Sequence, residues 1–94
     1  MRVAAPAECT AVIVNQKGLH ARAAAKLVAL ANQFNARIEV SRNDLTANGG
    51  SIMGLMMLAA AKHCTVKLSA TGPEARTAVQ ALAGLIAAGF YEQD

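Results

Sequence analysis

The stretch Thr65-Val-Lys-Leu-Ser-Ala-Thr-Gly-Pro-Glu74 joins a strand pattern directly to a helix start. Apolar and polar residues alternate over 65–70, a period of two that predicts a strand with one buried face and one face in water. Residues 71–74 predict the beginning of a helix, because proline suits the first helical turn and an acid suits the positive end of the helix dipole. We expect this helix to run to Ala88 and to stop at Gly89.

The same patterns recur toward the N-terminus and define the order of the remaining elements. Further strands are predicted over Thr10–Val14, Arg37–Ser41 and Leu45–Ala47, and further helices over Ala21–Phe34 and Ile52–Leu58. The order is therefore β-α-β-β-α-β-α. Two strands alternate cleanly, which favours an antiparallel sheet covered by helices on one side only. The predicted fold class is α+β.

The chain has the size and composition of one small folded domain. It contains 94 residues, of which 54% are hydrophobic and 16% charged. Domains of about 50 to 250 residues are common, and disorder requires low hydrophobicity and high charge. We interpret residues 1–8 as a short N-terminal tail and residues 9–94 as a single domain.

Charge and cysteine content exclude several classes of protein. The net charge is +3, the basic residues are scattered, and aromatic residues make up only 3%, so nucleic-acid binding is not expected. An acidic protein partner or one small anion fits better.

The longest apolar stretch, Ile52–Ala61, is too short to span a bilayer, and the N-terminus lacks the apolar core of a signal peptide. Two cysteines make no disulfide framework. We therefore expect a cytoplasmic protein without membrane insertion.

The stretch Gly18-Leu19-His20-Ala21-Arg22 places a histidine between a glycine turn and a helix start. The helix dipole there favours the neutral imidazole, which is a nucleophile. If His20 took a phosphoryl group, the N–H groups of Ala21 and Arg22 would face its oxygens, and the Arg22 guanidinium would bind them in a forked geometry. The alternative is that His20 is only a polar cap of the helix.

These residues resemble a known family. The segment Gly18–Arg22, after a strand and a turn, resembles the active-site segment of HPr, the histidine-containing phosphocarrier of the bacterial phosphotransferase system. Ser51-Ile-Met-Gly54 resembles the regulatory serine segment of HPr proteins, and the element order is the HPr order. The resemblance covers Thr10 to about Phe90. It implies an open-faced β-sandwich, in which three helices cover one face of a four-stranded antiparallel sheet. Three further segments resemble the nitrogen-branch paralogue NPr: Arg42–Asp44, Ala70–Pro73 and Ala88–Phe90.

The resemblance implies a phosphoryl carrier rather than an enzyme. His20 would accept a phosphoryl group on Nδ1 from phosphorylated enzyme I and pass it to an enzyme IIA-type domain, with Arg22 stabilising the group. We expect a monomer without a cofactor or metal. The sequence differs from the family pattern at one position of this segment. The family usually has proline directly after the arginine, and this chain has Ala23 there. Alanine relaxes a backbone constraint and supplies one more N–H donor, and we expect transfer to survive.

The short helix carries two further candidates. Ser51 is either a plain N-cap of the helix or a regulatory site that an HPr kinase phosphorylates. Four apolar residues follow in this helix: Ile52, Met53, Met56 and Met57. They either complete a thin core or form a soft docking patch for partner proteins, and we favour docking for Met53 and Met56.

Two other functions remain open on sequence grounds. The first alternative to a phosphoryl carrier is a regulatory interaction module that uses the same face without carrying phosphate. The second alternative is a small ligand-binding α/β domain with a pocket at a dimer interface. The sequence leaves open whether the chain serves sugar uptake or a nitrogen-type branch. It does not name the downstream acceptor.

Overall fold

The computed structural model describes residues 5–92. The elements are β1 (Ala7–Val12), α1 (Ala21–Ala31), β2 (Arg37–Arg42), β3 (Leu45–Asn48), α2 (Ile52–Met57), β4 (Thr65–Thr71) and α3 (Ala75–Ala87), followed by a short 3-10 turn, Gly89–Tyr91. The predicted order β-α-β-β-α-β-α is confirmed.

The four strands form one antiparallel sheet in the order β1-β4-β2-β3. The central strand β4 buries Val66, Leu68 and Ala70 on one side and exposes Lys67 on the other. This is the alternation that the sequence predicts. The helices pack on the buried side, and the opposite side of the sheet is open. The predicted sheet with helices on one face is therefore confirmed.

The core lies between the sheet and the helices and combines large aliphatic side chains with alanine. Leu27 of α1, Leu55 of α2 and Leu82 of α3 are buried, and burying each such side chain contributes about 1.5–3 kcal/mol. Ala24 and Ala78 are fully buried, so α1 and α3 pack closely. Within residues 5–92, none of the helices combines the length and apolar character that a bilayer crossing requires.

Most elements end one to three residues away from their predicted bounds, and the largest differences are in β1 and α1. Strand β1 ends at Val12, before the predicted end at Val14. Strand β1 begins at Ala7, before the predicted start at Thr10, so Ala7 and Glu8 belong to the sheet rather than to the tail. They pair with the C-terminal end of β4, opposite Ala70 and Ser69. Strand pairing decides this boundary, because alanine and glutamate have little strand preference of their own. The first four residues of the predicted tail lie outside the described residues.

Helix α1 is also shorter than predicted. It ends at Ala31, whereas the pattern of helix formers predicts an end at Phe34. Two turns follow instead, in which the Gln33 N–H donates to the Leu30 carbonyl oxygen and the Phe34 N–H donates to that of Ala31. Tight turns of this kind are common where a helix ends.

The chain reverses after α3 in a left-handed turn. Gly89, Phe90 and Tyr91 have φ angles of +65°, +57° and +58°. Gly89 is the predicted stop, and the prediction is confirmed. For Phe90 and Tyr91 the left-handed conformation costs roughly 1–2 kcal/mol each, and complete burial of the Phe90 side chain offsets this cost. The turn directs Glu92 back toward the start of α1.

Candidate functional site

His20 occupies the N-cap position of α1. Its backbone is extended, with φ −79° and ψ 179°, and its carbonyl oxygen accepts a hydrogen bond of 2.8 Å from the Ala24 N–H. The side chain makes no capping hydrogen bond, so the alternative of a polar cap is wrong. The first N–H groups of a helix have no partner within the helix. Those of Ala21 and Arg22 are therefore placed to meet an anion near His20.

The turn before His20 is held against the connection between α2 and β4. Gly18 has φ +68°, and a Cβ at this position would lie 2.5 Å from the Ala60 carbonyl oxygen. The Leu19 N–H donates to the same oxygen at 2.9 Å, and the Leu19 side chain is buried. Only glycine fits here, because the conformation is left-handed and the neighbouring backbone is too close for a side chain.

A carboxylate from the far end of the chain contacts the imidazole. The His20 Nε2 atom lies 2.5 Å from Glu92 Oε2. The other carboxylate oxygen, Oε1, accepts a hydrogen bond of 3.0 Å from Asn15 Nδ2, which also donates to the Gly18 carbonyl oxygen at 2.8 Å. The His20 side chain is 25% exposed and that of Glu92 only 8%. Nδ1 has no hydrogen-bond partner among residues 5–92.

The surroundings of Glu92 keep it ionised at neutral pH. Burial acts to raise the pKa of this carboxyl. Hydrogen bonds from His20 and Asn15 and the charges of His20 and Lys26 act in the opposite direction and prevail, so the pKa lies below its ordinary value. Glu92 therefore presents a carboxylate to the ring.

Sequence reasoning missed Glu92. It lies beyond the predicted stop of the last helix, at 72 positions from His20, and no local pattern marks it. The sequence predicts a neutral imidazole from the helix dipole alone. The structure adds a carboxylate in direct contact with the ring.

Two basic side chains of α1 lie one turn apart near His20. Lys26 Nζ donates a hydrogen bond of 2.6 Å to the Phe90 carbonyl oxygen, so it is engaged with the C-terminal turn. Arg22 is exposed and forms no ion pair within the described part of the chain. No ion pair among these residues therefore occupies its guanidinium, and its contact with an anion stays a prediction.

Ser51 is the N-cap of α2. Its Oγ accepts a hydrogen bond of 2.9 Å from the Gly54 N–H. A Cβ at residue 54 would lie 3.0 Å from that Oγ, so glycine allows the close approach. The interpretation of Ser51 as a cap is confirmed. Its phosphorylation stays a prediction.

The apolar residues of α2 separate into a buried pair and an exposed set. Leu55 and Leu58 are buried. The exposed set is Ile52 (41%), Met53 (69%), Met56 (39%) and Met57 (72%). The alternative that this set completes the core is wrong, and its role in docking stays a prediction.

The cysteines stand apart from this site. Cys9 lies in β1 and Cys64 directly precedes β4, and both are free thiols. Burial raises the pKa of the Cys9 thiol, which makes it a poor nucleophile. Residues 5–92 bring no three His, Cys, Asp or Glu side chains together in a manner that suits a metal ion.

The chain is similar to curated proteins over most of its length. It is 48% identical over 80 residues to the phosphocarrier protein HPr of Neisseria meningitidis, covering 85% of this chain and 90% of that protein. It is 40% identical over 80 residues to the phosphocarrier protein NPr of Shewanella violacea, covering 85% and 88% of the two chains.

The fold is that of solved HPr structures. A structure of HPr from Thermoanaerobacter tengcongensis superposes with a TM-score of 0.87 at 41% identity, covering 93% of this chain and 98% of that chain. A structure of the Bacillus subtilis protein Crh, described as a dimer with a swapping domain, superposes with a TM-score of 0.72 at 35% identity. The match covers 79% of this chain and 85% of that chain. Residues 7–88 match the family PTS-HPr, described as the PTS HPr component phosphorylation site. The chain therefore belongs to the HPr family of phosphocarrier proteins of the phosphotransferase system.

Proposed function

We propose that the chain accepts a phosphoryl group on His20 Nδ1 from phosphorylated enzyme I and passes it to an enzyme IIA-type domain. The observation that carries this proposal is the state of the two ring nitrogens. Nε2 faces the Glu92 carboxylate at 2.5 Å, while Nδ1 has no partner among residues 5–92. A ring nitrogen with a free lone pair at a helix N-terminus combines a nucleophile with an anion site.

The surroundings of His20 suit a carrier that must both gain and lose the group. The N–H groups of Ala21 and Arg22 and the Arg22 guanidinium stabilise the phosphoryl oxygens. The His20 side chain is 25% exposed, which leaves an approach for a partner protein. A buried site would hold the group too firmly for transfer in both directions.

The test is phosphorylation of the intact chain. The protein is incubated with enzyme I, Mg²⁺ and phosphoenolpyruvate, and its mass is measured beside His20→Ala and His63→Asn variants. We expect an acid-labile gain of one phosphoryl group in the wild type and in His63→Asn, and none in His20→Ala. No gain in the wild type, with enzyme I active on another carrier, would favour the interaction module that uses the same face without phosphate.

A second proposal concerns regulation at Ser51. A phosphate there would add about −1.5 to −2 charges at the start of α2 and repel a phosphorylated partner. The supporting observation is the partial exposure of Ser51 beside the exposed Ile52 and Met53. We expect an HPr kinase to modify the wild type but not Ser51→Asn, a matched variant because asparagine also caps helices. Modification of Ser51→Asn would contradict the proposal.

We further propose that the chain is a cytoplasmic monomer without a cofactor. The partner proteins contact the exposed residues of α2, which are Ile52, Met53, Met56 and Met57. Two free thiols suit a reducing compartment. The four exposed side chains lie on one short helix next to α1, and flexible methionines suit a surface that binds several partners. Sedimentation distinguishes the monomer from a dimer with exchanged segments.

A further inference from the structure

We infer that Glu92 is a positioning residue for phosphoryl transfer, which holds the His20 ring with its proton on Nε2 and its lone pair on Nδ1. The inference rests on the proposed function, because it concerns how His20 is prepared to accept the group. It assigns a task to a residue near the C-terminal end that no local motif marks.

The orientation of the network follows from the chemistry of its atoms. Asn15 Nδ2 donates to the Gly18 carbonyl oxygen at 2.8 Å and to Glu92 Oε1 at 3.0 Å. Both partners are acceptors, so the Asn15 amide has only one satisfactory orientation. An ionised carboxylate also only accepts hydrogen bonds. The atom that faces Glu92 Oε2 at 2.5 Å, His20 Nε2, must therefore carry a proton.

The backbone around Glu92 keeps the carboxylate in place. Phe90 is fully buried, and its carbonyl oxygen accepts a hydrogen bond of 2.6 Å from Lys26 Nζ. Phe90 and Tyr91 both have left-handed backbone conformations, which residues other than glycine seldom adopt. Such a conformation persists only where the surrounding contacts enforce it. The contacts at both sides of this turn, Lys26 at Phe90 and Asn15 at Glu92, supply that constraint.

The position of Glu92 matches the charge that develops during transfer. The Nδ1 lone pair of His20 forms the new N–P bond, while the P–N bond of the donor's phosphohistidine breaks and its electron pair returns to the donor ring. The His20 ring, which keeps its Nε2 proton, becomes positively charged. The Glu92 carboxylate faces that proton and stabilises the charge. The reverse transfer runs through the same arrangement.

Two substitutions separate positioning from a simple loss of contact. Glu92→Ala removes the acceptor and leaves the ring without a partner on Nε2. Glu92→Gln keeps the shape, but Asn15 still requires an acceptor, so the new amide oxygen faces Asn15 and the new NH₂ group faces His20. Nε2 then becomes an acceptor and the proton moves to Nδ1, the nitrogen that must attack. We therefore expect Glu92→Gln to be slower than Glu92→Ala.

The experiment combines NMR of the unphosphorylated protein with transfer kinetics. Nitrogen spectra of ¹⁵N-histidine-labelled full-length chain are recorded at about pH 9, where histidine is neutral, with His63→Asn used to assign the two rings. Phosphorylation rates from enzyme I are measured for the wild type, both Glu92 variants and Glu39→Gln, a matched loss of charge on the open face of the sheet.

We expect the proton on Nε2 in the wild type and a shift toward Nδ1 in Glu92→Gln. The rate should fall about tenfold in Glu92→Ala, further in Glu92→Gln, and not in Glu39→Gln. An unchanged tautomer in Glu92→Gln, or transfer in Glu92→Ala as fast as in the wild type, would overturn the inference. A faster Glu92→Ala would show that the carboxylate blocks His20 instead. If the wild type accepts no phosphoryl group, the proposed function fails, while the NMR result still decides the positioning of the ring.

Discussion

Lys26 Nζ and the Phe90 carbonyl oxygen are joined by a hydrogen bond of 2.6 Å, which ties α1 to the turn that follows α3. The two residues are 64 positions apart in the chain. Through this bond the helix that His20 precedes also holds the segment that carries Glu92. The ring and its carboxylate partner therefore belong to one connected unit.

Removal of the Lys26 ammonium group should weaken this unit. Lys26→Met keeps much of the side-chain stem but leaves the Phe90 carbonyl oxygen without its charged donor. We expect the free energy of unfolding, measured by urea denaturation, to fall by about 1–2 kcal/mol. Lys62→Met is the control, because Lys62 is exposed and donates to the exposed Gln16 at 3.3 Å, and surface changes usually stay within about 0.5 kcal/mol. Equal effects of both variants would contradict a structural role for the Lys26 bond.

The carboxyl of Glu92 should make stability depend on pH in acid. Its pKa is lower in the folded chain than the ordinary value of 4.5. A lowered folded-state pKa contributes stability that is fully present above the unfolded-state pKa and is lost as the pH falls through the folded-state pKa. We expect the wild type to lose more free energy of unfolding than Glu92→Gln between about pH 5 and pH 3. Parallel curves for the two proteins would show that Glu92 is not stabilised as a carboxylate.

Gly18 should tolerate no side chain. Gly18→Ala combines a left-handed backbone with a Cβ placed 2.5 Å from the Ala60 carbonyl oxygen, so we expect a loss of at least about 2 kcal/mol in stability and slower phosphorylation of His20. Gly84→Ala is the matched control, since α3 has open space there. Alanine in a helix should raise stability by roughly 0.5–1 kcal/mol. Calorimetry measures the stability of both variants. A Gly18→Ala protein as stable as the wild type would disprove the steric argument.

Charge on the exposed side of α2 should weaken partner binding. We expect Met53→Lys and Met56→Lys each to raise the dissociation constant for unphosphorylated enzyme I by about tenfold, as loss of an interface anchor does. Leu45→Lys serves as the control, because Leu45 is also apolar and 51% exposed but lies in β3. Titration calorimetry measures the constants. Unchanged binding of both methionine variants would exclude the docking role of these residues.

Replacement of Ala23 by proline should have little effect on transfer. Proline is accepted in the first turn of a helix, and His20 is already held by Gly18, Leu19 and Glu92. We expect the phosphorylation rate of Ala23→Pro to stay within about threefold of the wild type. A large gain in rate would show that the alanine costs this chain activity.

Local patterns in the sequence are sufficient for much of the fold. Alternation in Arg37–Ser41 and Thr65–Ala70 predicts both central strands and the open face of the sheet, because side chains on a strand alternate between its two sides. The stop of α3 at Gly89 follows from capping chemistry, which acts within one helical turn. The start is predicted only approximately, because Pro73 precedes the N-cap Glu74 instead of lying in the first turn, and the Glu74 side chain makes no capping hydrogen bond. Such features depend only on neighbours in the chain.

The boundary of β1 shows where local patterns are insufficient. Ala7 and Glu8 have no strand preference, yet they pair with β4 opposite Ala70 and Ser69. The pairing partners, 63 and 61 positions away in the chain, decide the conformation. The exposure of Met53 and Met56 is a similar case, since the side of α2 that faces solvent depends on how α2 packs against α1 and β3.

The candidate site also combines features that local sequence sets with contacts that only the folded chain makes. The sequence by itself determined the element order, the position of His20 at a helix start and the nearby Arg22, because these rest on periodicity and on the chemistry of a helix N-terminus. Only the tertiary structure decided that the Glu92 carboxylate, which accepts a hydrogen bond from Asn15, contacts Nε2 of His20. The physical reason is that this contact requires the left-handed turn at Phe90 and Tyr91, which burial of Phe90 and the Lys26 bond stabilise in the folded chain.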